Sequence, residues 1–92
     1  MSEFRKTVTI TNNRGLHARA SAKFVTYVSK LPEGLTVKVA KDGTEVTGTS
    51  IMGLMMLGAA KGDDVDIIVA GEQAESALDK LTGLVVDGFG ED

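Results

Sequence analysis

Residues 15–21 read Gly15-Leu16-His17-Ala18-Arg19-Ala20-Ser21, and across them the spacing of apolar side chains changes from every second residue to every third or fourth. Before this stretch, Phe4, Val8 and Ile10 alternate with Arg5, Thr7, Thr9 and Thr11, with Lys6 the one mismatch, which predicts a half-buried strand over Phe4–Thr11. After it, Ala20, Phe24, Tyr27, Val28 and Leu31 share one face of a predicted helix over Ala18–Lys30. The turn cluster Asn12-Asn13-Arg14-Gly15 separates the two, and Pro32-Glu33-Gly34 ends the helix. The chain therefore opens strand, turn, helix.

The remainder continues in short units. Leu35–Ala40 alternates around Leu35, Val37 and Val39, Asp42-Gly43 is a hairpin signal, and Thr44–Thr47 returns around Val46. Ser50–Leu57 is apolar on nearly every side, which predicts a short helix capped by Ser50 that cannot bury all it carries. Gly53 costs that helix roughly 1 kcal/mol relative to alanine, and close approach of another backbone is one explanation. Val65–Ala70 is β-branched with Val65, Ile67 and Val69 inward; Asp64, Asp66 and Ile68 face the other way. Gln73–Phe89 carries Ala74, Ala77, Leu78, Leu81, Leu84, Val85 and Phe89 at helical spacing, and Gly88, Gly90, Glu91 and Asp92 read as a frayed end.

The order is βαββαβα. Strands whose apolar residues share one parity predict an α+β fold, a two-layer open-faced sandwich in which a four-stranded antiparallel sheet is covered on one face by three helices. A length of 92 residues with 42% apolar content fits one domain over 1–92.

Composition narrows the function. There is no cysteine and a single histidine, so neither a disulfide framework nor a thiolate or multi-histidine metal site is expected, and no cofactor is implied. Strand alternation turns Asp64 and Asp66 outward, making a charged outer face a better reading of the Asp63, Asp64, Asp66 group than a metal site. A net charge of −3 with one tyrosine and three phenylalanines argues against nucleic acid. No apolar run approaches the roughly 20 residues of a membrane span, and Met1–Lys6 is not built like a signal peptide, so a cytoplasmic protein without membrane contact is expected. The chain has no Walker-type loop and no set of nucleophile, base and acid, which speaks against an independent enzyme.

What it does have is His17 at a helix start. No Ser, Thr, Asp or Asn immediately precedes Ala18, so the N–H groups of Ala18, Arg19 and Ala20 are expected to lack a cap and to form an anion site at the positive helix end. Imidazole is a nucleophile that is substantially neutral near pH 7. Phosphate on the ring would face the Ala18 and Ala20 amides and the Arg19 guanidinium, whose fork suits phosphate oxygens. His17 is thus the candidate phosphoryl acceptor.

The string Gly15-Leu16-His17-Ala18-Arg19 resembles the active-site motif of HPr, the histidine-containing phosphocarrier family of the bacterial phosphoenolpyruvate-dependent phosphotransferase system. Ser50-Ile51-Met52-Gly53-Leu54-Met55 resembles that family's regulatory-serine segment at about the expected separation, and the likeness runs over nearly the whole chain. The resemblance implies the same sandwich. It also implies a carrier for sugar transport in which the δ1 nitrogen of His17 takes phosphate from enzyme I and gives it to an EIIA-type acceptor domain. Ser50 would be phosphorylated by HPr kinase/phosphorylase, placing about two negative charges beside an apolar patch. Ile51, Met52 and Met55 are read as a docking patch shared by several partners, with Leu54 and Leu57 as core. Ala20 departs from the proline usual in the family, which bears on transfer rate and partner preference. A monomer is expected of a surface that serves partners in turn. Two alternatives stand beside this: a βαββαβ regulatory ligand-binding or interaction module with an incidental His17, and a family member used mainly for nitrogen or carbon regulation. A carrier gains an acid-labile phosphate, whereas a sensor is thermally stabilised by a small ligand.

Overall fold

Strand parity decides where the core lies. In β1 (Glu3–Thr9), β2 (Thr36–Lys41), β3 (Thr44–Thr47) and β4 (Asp64–Ala70), antiparallel pairing sets Val8 opposite Val65, Val37 opposite Val69, and Val39 opposite both Ile67 and Val46. These side chains therefore share one face. The computed structural model describes residues 3–91 and joins the strands in the order β1-β4-β2-β3, every pair antiparallel. The helices α1 (Ala18–Ser29), α2 (Ile51–Met56) and α3 (Ala74–Val86) form the second layer. Ala20 and Phe24 of α1, Leu54 of α2, and Ala77, Leu81 and Val85 of α3 join the strand valines in one core. Each such large side chain contributes about 1.5–3 kcal/mol by leaving water. The α+β sandwich and the βαββαβα order expected from the sequence are what the chain adopts.

The opposite face of the sheet is a polar ladder. Asp66 accepts hydrogen bonds from Thr7 Oγ1 at 2.6 Å and Arg5 Nη1 at 2.7 Å, and Asp64 accepts from Thr9 Oγ1 at 2.6 Å. The Thr7 hydroxyl, followed by the Arg5 guanidinium, holds the Asp66 carboxyl below the usual carboxylate range. These carboxylates thus serve donors on β1, and among the described residues no three His, Cys, Asp or Glu side chains group as a metal site. Ile68 is buried on this outer face, directly between Arg5 and Lys38, whose aliphatic stems can lie over it. Among the described residues no helix is long and apolar enough to cross a membrane.

The structure corrects the sequence reading in several places. β1 ends at Thr9, two residues early, and the first helix ends at Ser29 with Lys30 as its cap. Tyr27 is not on the buried face; it is exposed, and the buried face of α1 is Ala20, Ser21 and Phe24. A tyrosine near a helix end keeps its hydroxyl in water at no cost. Gly53 is crowded by side chains and not by a second backbone: an added Cβ would sit 3.1 Å from Ser50 Oγ and 3.2 Å from Val46 Cβ.

The largest difference is at the C-terminal end. The last helix stops at Val86, and Gly88–Gly90 form a separate 3₁₀ turn in which Phe89 has a positive φ of 58° and is fully buried. Gly88, at φ 65°, lets the chain double back after Asp87. This segment is not frayed: Lys23 Nζ donates to the Phe89 carbonyl at 2.7 Å, and Glu91 reaches the other end of the molecule's first loop. Asp92, assigned to the same frayed end, lies outside the described residues.

Candidate functional site

The loop from Asn12 to His17 is built to hold one ring. Gly15 has φ 64°, and a Cβ there would overlap the Ala59 carbonyl oxygen, so only glycine fits this approach to the loop after α2. Leu16 is buried and donates its N–H to that same oxygen at 2.9 Å. Asn12, 3% exposed, donates its side-chain N–H to the Gly15 carbonyl at 2.8 Å. His17 follows with extended backbone (φ −74°, ψ −179°), and its carbonyl accepts the first helical bond, from the Ser21 N–H at 2.9 Å. That is the geometry of a helix cap.

The ring itself does the capping, which overturns the expectation of an uncapped start. Nδ1 of His17 accepts the Arg19 N–H at 3.2 Å, where a serine or aspartate oxygen would ordinarily stand. An imidazole lone pair can take that place because His17 is the cap residue, not the first helical one. The Ala18 and Ala20 N–H groups have no hydrogen-bond partner among the described residues. The helix start therefore keeps two free donors and one held by a weak acceptor.

At the far side of the ring, Nε2 lies 2.7 Å from Glu91 Oε2. A carboxylate only accepts and a backbone N–H only donates, so the neutral ring carries its hydrogen on Nε2 and its in-plane lone pair on Nδ1. The Asn12 side-chain N–H, ahead of the His17 ring and the Arg19 guanidinium, holds the Glu91 carboxyl below the usual carboxylate range. The His17 side chain is 20% exposed and that of Glu91 19%. Both open into a cleft of about 720 Å³, lined also by Asn13, Arg14, Arg19 and Lys23. Three cations against one carboxylate make this the place on the surface for an anion to approach.

Ser50 sits at the start of α2, where its Oγ accepts the Gly53 N–H at 2.9 Å. Beyond it, Met52 is 70% and Met56 79% exposed, Ile51 39% and Met55 41%, while Leu54 and Leu57 are buried. α2 packs beside α1, and Ala59, three residues past the end of this helix, accepts from the Leu16 N–H in the His17 loop. Sequence reasoning missed Met56, the most exposed member of the patch. It also missed Glu91 and Asn12, for which spacing offered no signal.

Residues 4–87 match the protein family described as the PTS HPr component phosphorylation site. The phosphocarrier protein HPr of Pseudomonas putida is 45% identical over 84 residues, 91% of this chain and 92% of that protein. The phosphocarrier protein NPr of Escherichia coli strain K12 is 36% identical over 91 residues, 96% of this chain and 97% of that protein. The crystal structure of HPr-C-His from Thermoanaerobacter tengcongensis superposes with a TM-score of 0.86 at 39% identity, covering 100% of this chain and 99% of that one.

Proposed function

The chain belongs to the HPr family of the phosphotransferase system, and from that premise we propose that it takes a phosphoryl group from phospho-enzyme I on Nδ1 of His17 and passes it to an EIIA-type acceptor domain. The observation that carries this reading is the ring's setting: a lone pair on Nδ1 facing the start of α1, and the hydrogen on Nε2 held by Glu91.

As Nδ1 attacks, its bond to phosphorus forms while the donor's bond to phosphorus breaks and the donor keeps that electron pair. The Arg19 N–H exchanges a nitrogen acceptor for a phosphoryl oxygen, and the Ala18 and Ala20 amides have no competing partner to give up. The Arg19 side chain lines the same cleft and supplies the permanent charge. Nothing on this list breaks bonds by itself, which fits a reactant regenerated in each cycle, with catalysis supplied by its partners.

Ile51, Met52 and Met55, joined by Met56, form the docking surface in this reading, being exposed, flexible and carried on a helix packed beside α1. Ser50 is the regulatory position: phosphorylation by HPr kinase/phosphorylase adds charge at a helix start that tolerates it, beside methionines that partners must cover. A second reading, use in a regulatory phosphorelay in place of sugar uptake, is favoured by the likeness to NPr. The acceptor domain that discharges the protein fastest separates the two.

The test is incubation with enzyme I and phosphoenolpyruvate, followed by intact mass and site mapping. One acid-labile phosphate on His17, absent from His17→Gln, is the expected result. A labile phosphate on His17→Gln, or an uncharged parent, overturns the reading.

A further inference from the structure

Neutral imidazole has two tautomers, and only the one with hydrogen on Nε2 offers an in-plane lone pair at Nδ1. Two contacts at opposite sides of the His17 ring select that tautomer, the Arg19 N–H at 3.2 Å from Nδ1 and Glu91 Oε2 at 2.7 Å from Nε2. The second is shorter and involves a charge, so it carries most of the selection.

Glu91 does not arrive there by chance of a loose end. Its other oxygen, Oε1, accepts from Asn12 Nδ2 at 3.1 Å, and the same Asn12 amide group donates to the Gly15 carbonyl. With its NH2 committed to two acceptors, the buried Asn12 leaves Oδ1 without a hydrogen-bond partner among the described residues, a cost that fixes which way the amide points. The strap that carries Glu91 is pinned two residues earlier by Phe89 in the core and by Lys23 on its carbonyl.

We propose that Glu91 is a positioning residue for phosphoryl transfer: seated by Asn12, it fixes the Nε2–H tautomer of His17 and covers that nitrogen, directing phosphate to Nδ1. The proposal rests on the carrier reading above. In the step itself the N–P bond forms at Nδ1, the donor departs with the electron pair of its broken bond, and the Nε2 hydrogen stays where it is. The positive charge the ring acquires is then met by the Glu91 carboxylate, and it disappears when the phosphoryl group leaves and the pair returns to Nδ1. No proton has to move in either direction.

Glu91→Gln gives a sharp test. Asn12 offers hydrogens to the near atom of residue 91, so the glutamine must turn its oxygen toward Asn12 and its NH2 toward His17 Nε2. That arrangement demands a lone pair on Nε2 and drives the hydrogen to Nδ1, so the glutamine variant should be worse than Glu91→Ala. The ring ¹⁵N NMR shifts of the unphosphorylated proteins report the tautomer. Loading with phosphoramidate, which needs no docking partner, reports rate and site. The parent should be Nε2–H and load on Nδ1. Glu91→Ala should be mixed, and Glu91→Gln shifted to Nδ1–H with loading at Nδ1 slowed about tenfold or more and phosphate appearing on Nε2. A Glu91→Gln protein that keeps the parent's ring shifts and loads Nδ1 at the parent's rate overturns the proposal. If the parent takes no phosphate on His17 from either phosphoramidate or enzyme I, the carrier reading fails instead, and the ring shifts still decide whether Glu91 sets the tautomer.

Discussion

At the start of α1 a ring nitrogen of His17 accepts the Arg19 N–H across 3.2 Å, and at the start of α2 the Ser50 hydroxyl accepts the Gly53 N–H across 2.9 Å. Neither helix has an acidic residue in its first turn, whereas α3 has Glu75. Both therefore lack a carboxylate in the first turn itself to meet the positive helix end. The difference is in the cap. The His17 lone pair is the poorer acceptor, and in the carrier reading proposed above it is also the nucleophile, so chemistry at Nδ1 would break the cap and phosphoryl oxygens would replace it. The Ser50 cap is shorter, and it holds a six-residue helix whose exposed side is methionine and isoleucine. On that reading one helix start exchanges its cap, while the other keeps its cap and displays a surface.

Substitutions that act on one start alone test this contrast. Arg19→Ala should slow phosphate acceptance from enzyme I about 100-fold, while its melting temperature stays close to the parent's because the side chain is on the surface. Equal losses of rate and stability would place Arg19 in the scaffold. Ser50→Asp should slow acceptance from enzyme I about tenfold yet leave loading by phosphoramidate unchanged, since charge at α2 disturbs docking and not the ring. Parent-like acceptance from enzyme I removes the inhibitory role of Ser50. Ser50→Ala should lower stability by about 1 kcal/mol in urea unfolding without altering either loading rate. A neutral effect would mean the 2.9 Å bond does not hold α2.

The smallest effect is in pH. The Glu91 carboxyl is held down by the Asn12 N–H first and then by His17 and Arg19, so its folded-state value lies below the unfolded one. Its contribution to stability is complete above the ordinary glutamate range, about pH 4.3, and is lost as pH falls through the depressed value. The Glu91 carboxyl carbon should titrate below the ordinary glutamate range, about pH 4.3; a curve centred in that range would mean the strap is loose.

Much of this architecture could be read from residue spacing. Alternation in β1, β2 and β4 and the change of period at Gly15 give the element order, and the surplus of apolar residues after Ser50 correctly points to exposure there. Strand order is less legible, because β1 pairs with β4 across most of the chain and periodicity carries no partner information. The cap was misread because capping preferences describe side-chain oxygens, and a histidine lone pair, though a poorer acceptor, can stand in that position. Glu91 was invisible for a different reason: Gly88 and Gly90 look like fraying, and the burial of Phe89 with positive φ depends on packing against α1 and α3 that no local pattern encodes.

The most direct measurement follows the backbone amide signals as His17 is charged. On phosphorylation the Ala18, Arg19 and Ala20 amide protons should move strongly downfield, with phosphorus coupled to ring Nδ1, while the Gly53 amide stays in place. Unmoved amides at the start of α1, or phosphorus coupled to Nε2, would contradict the account.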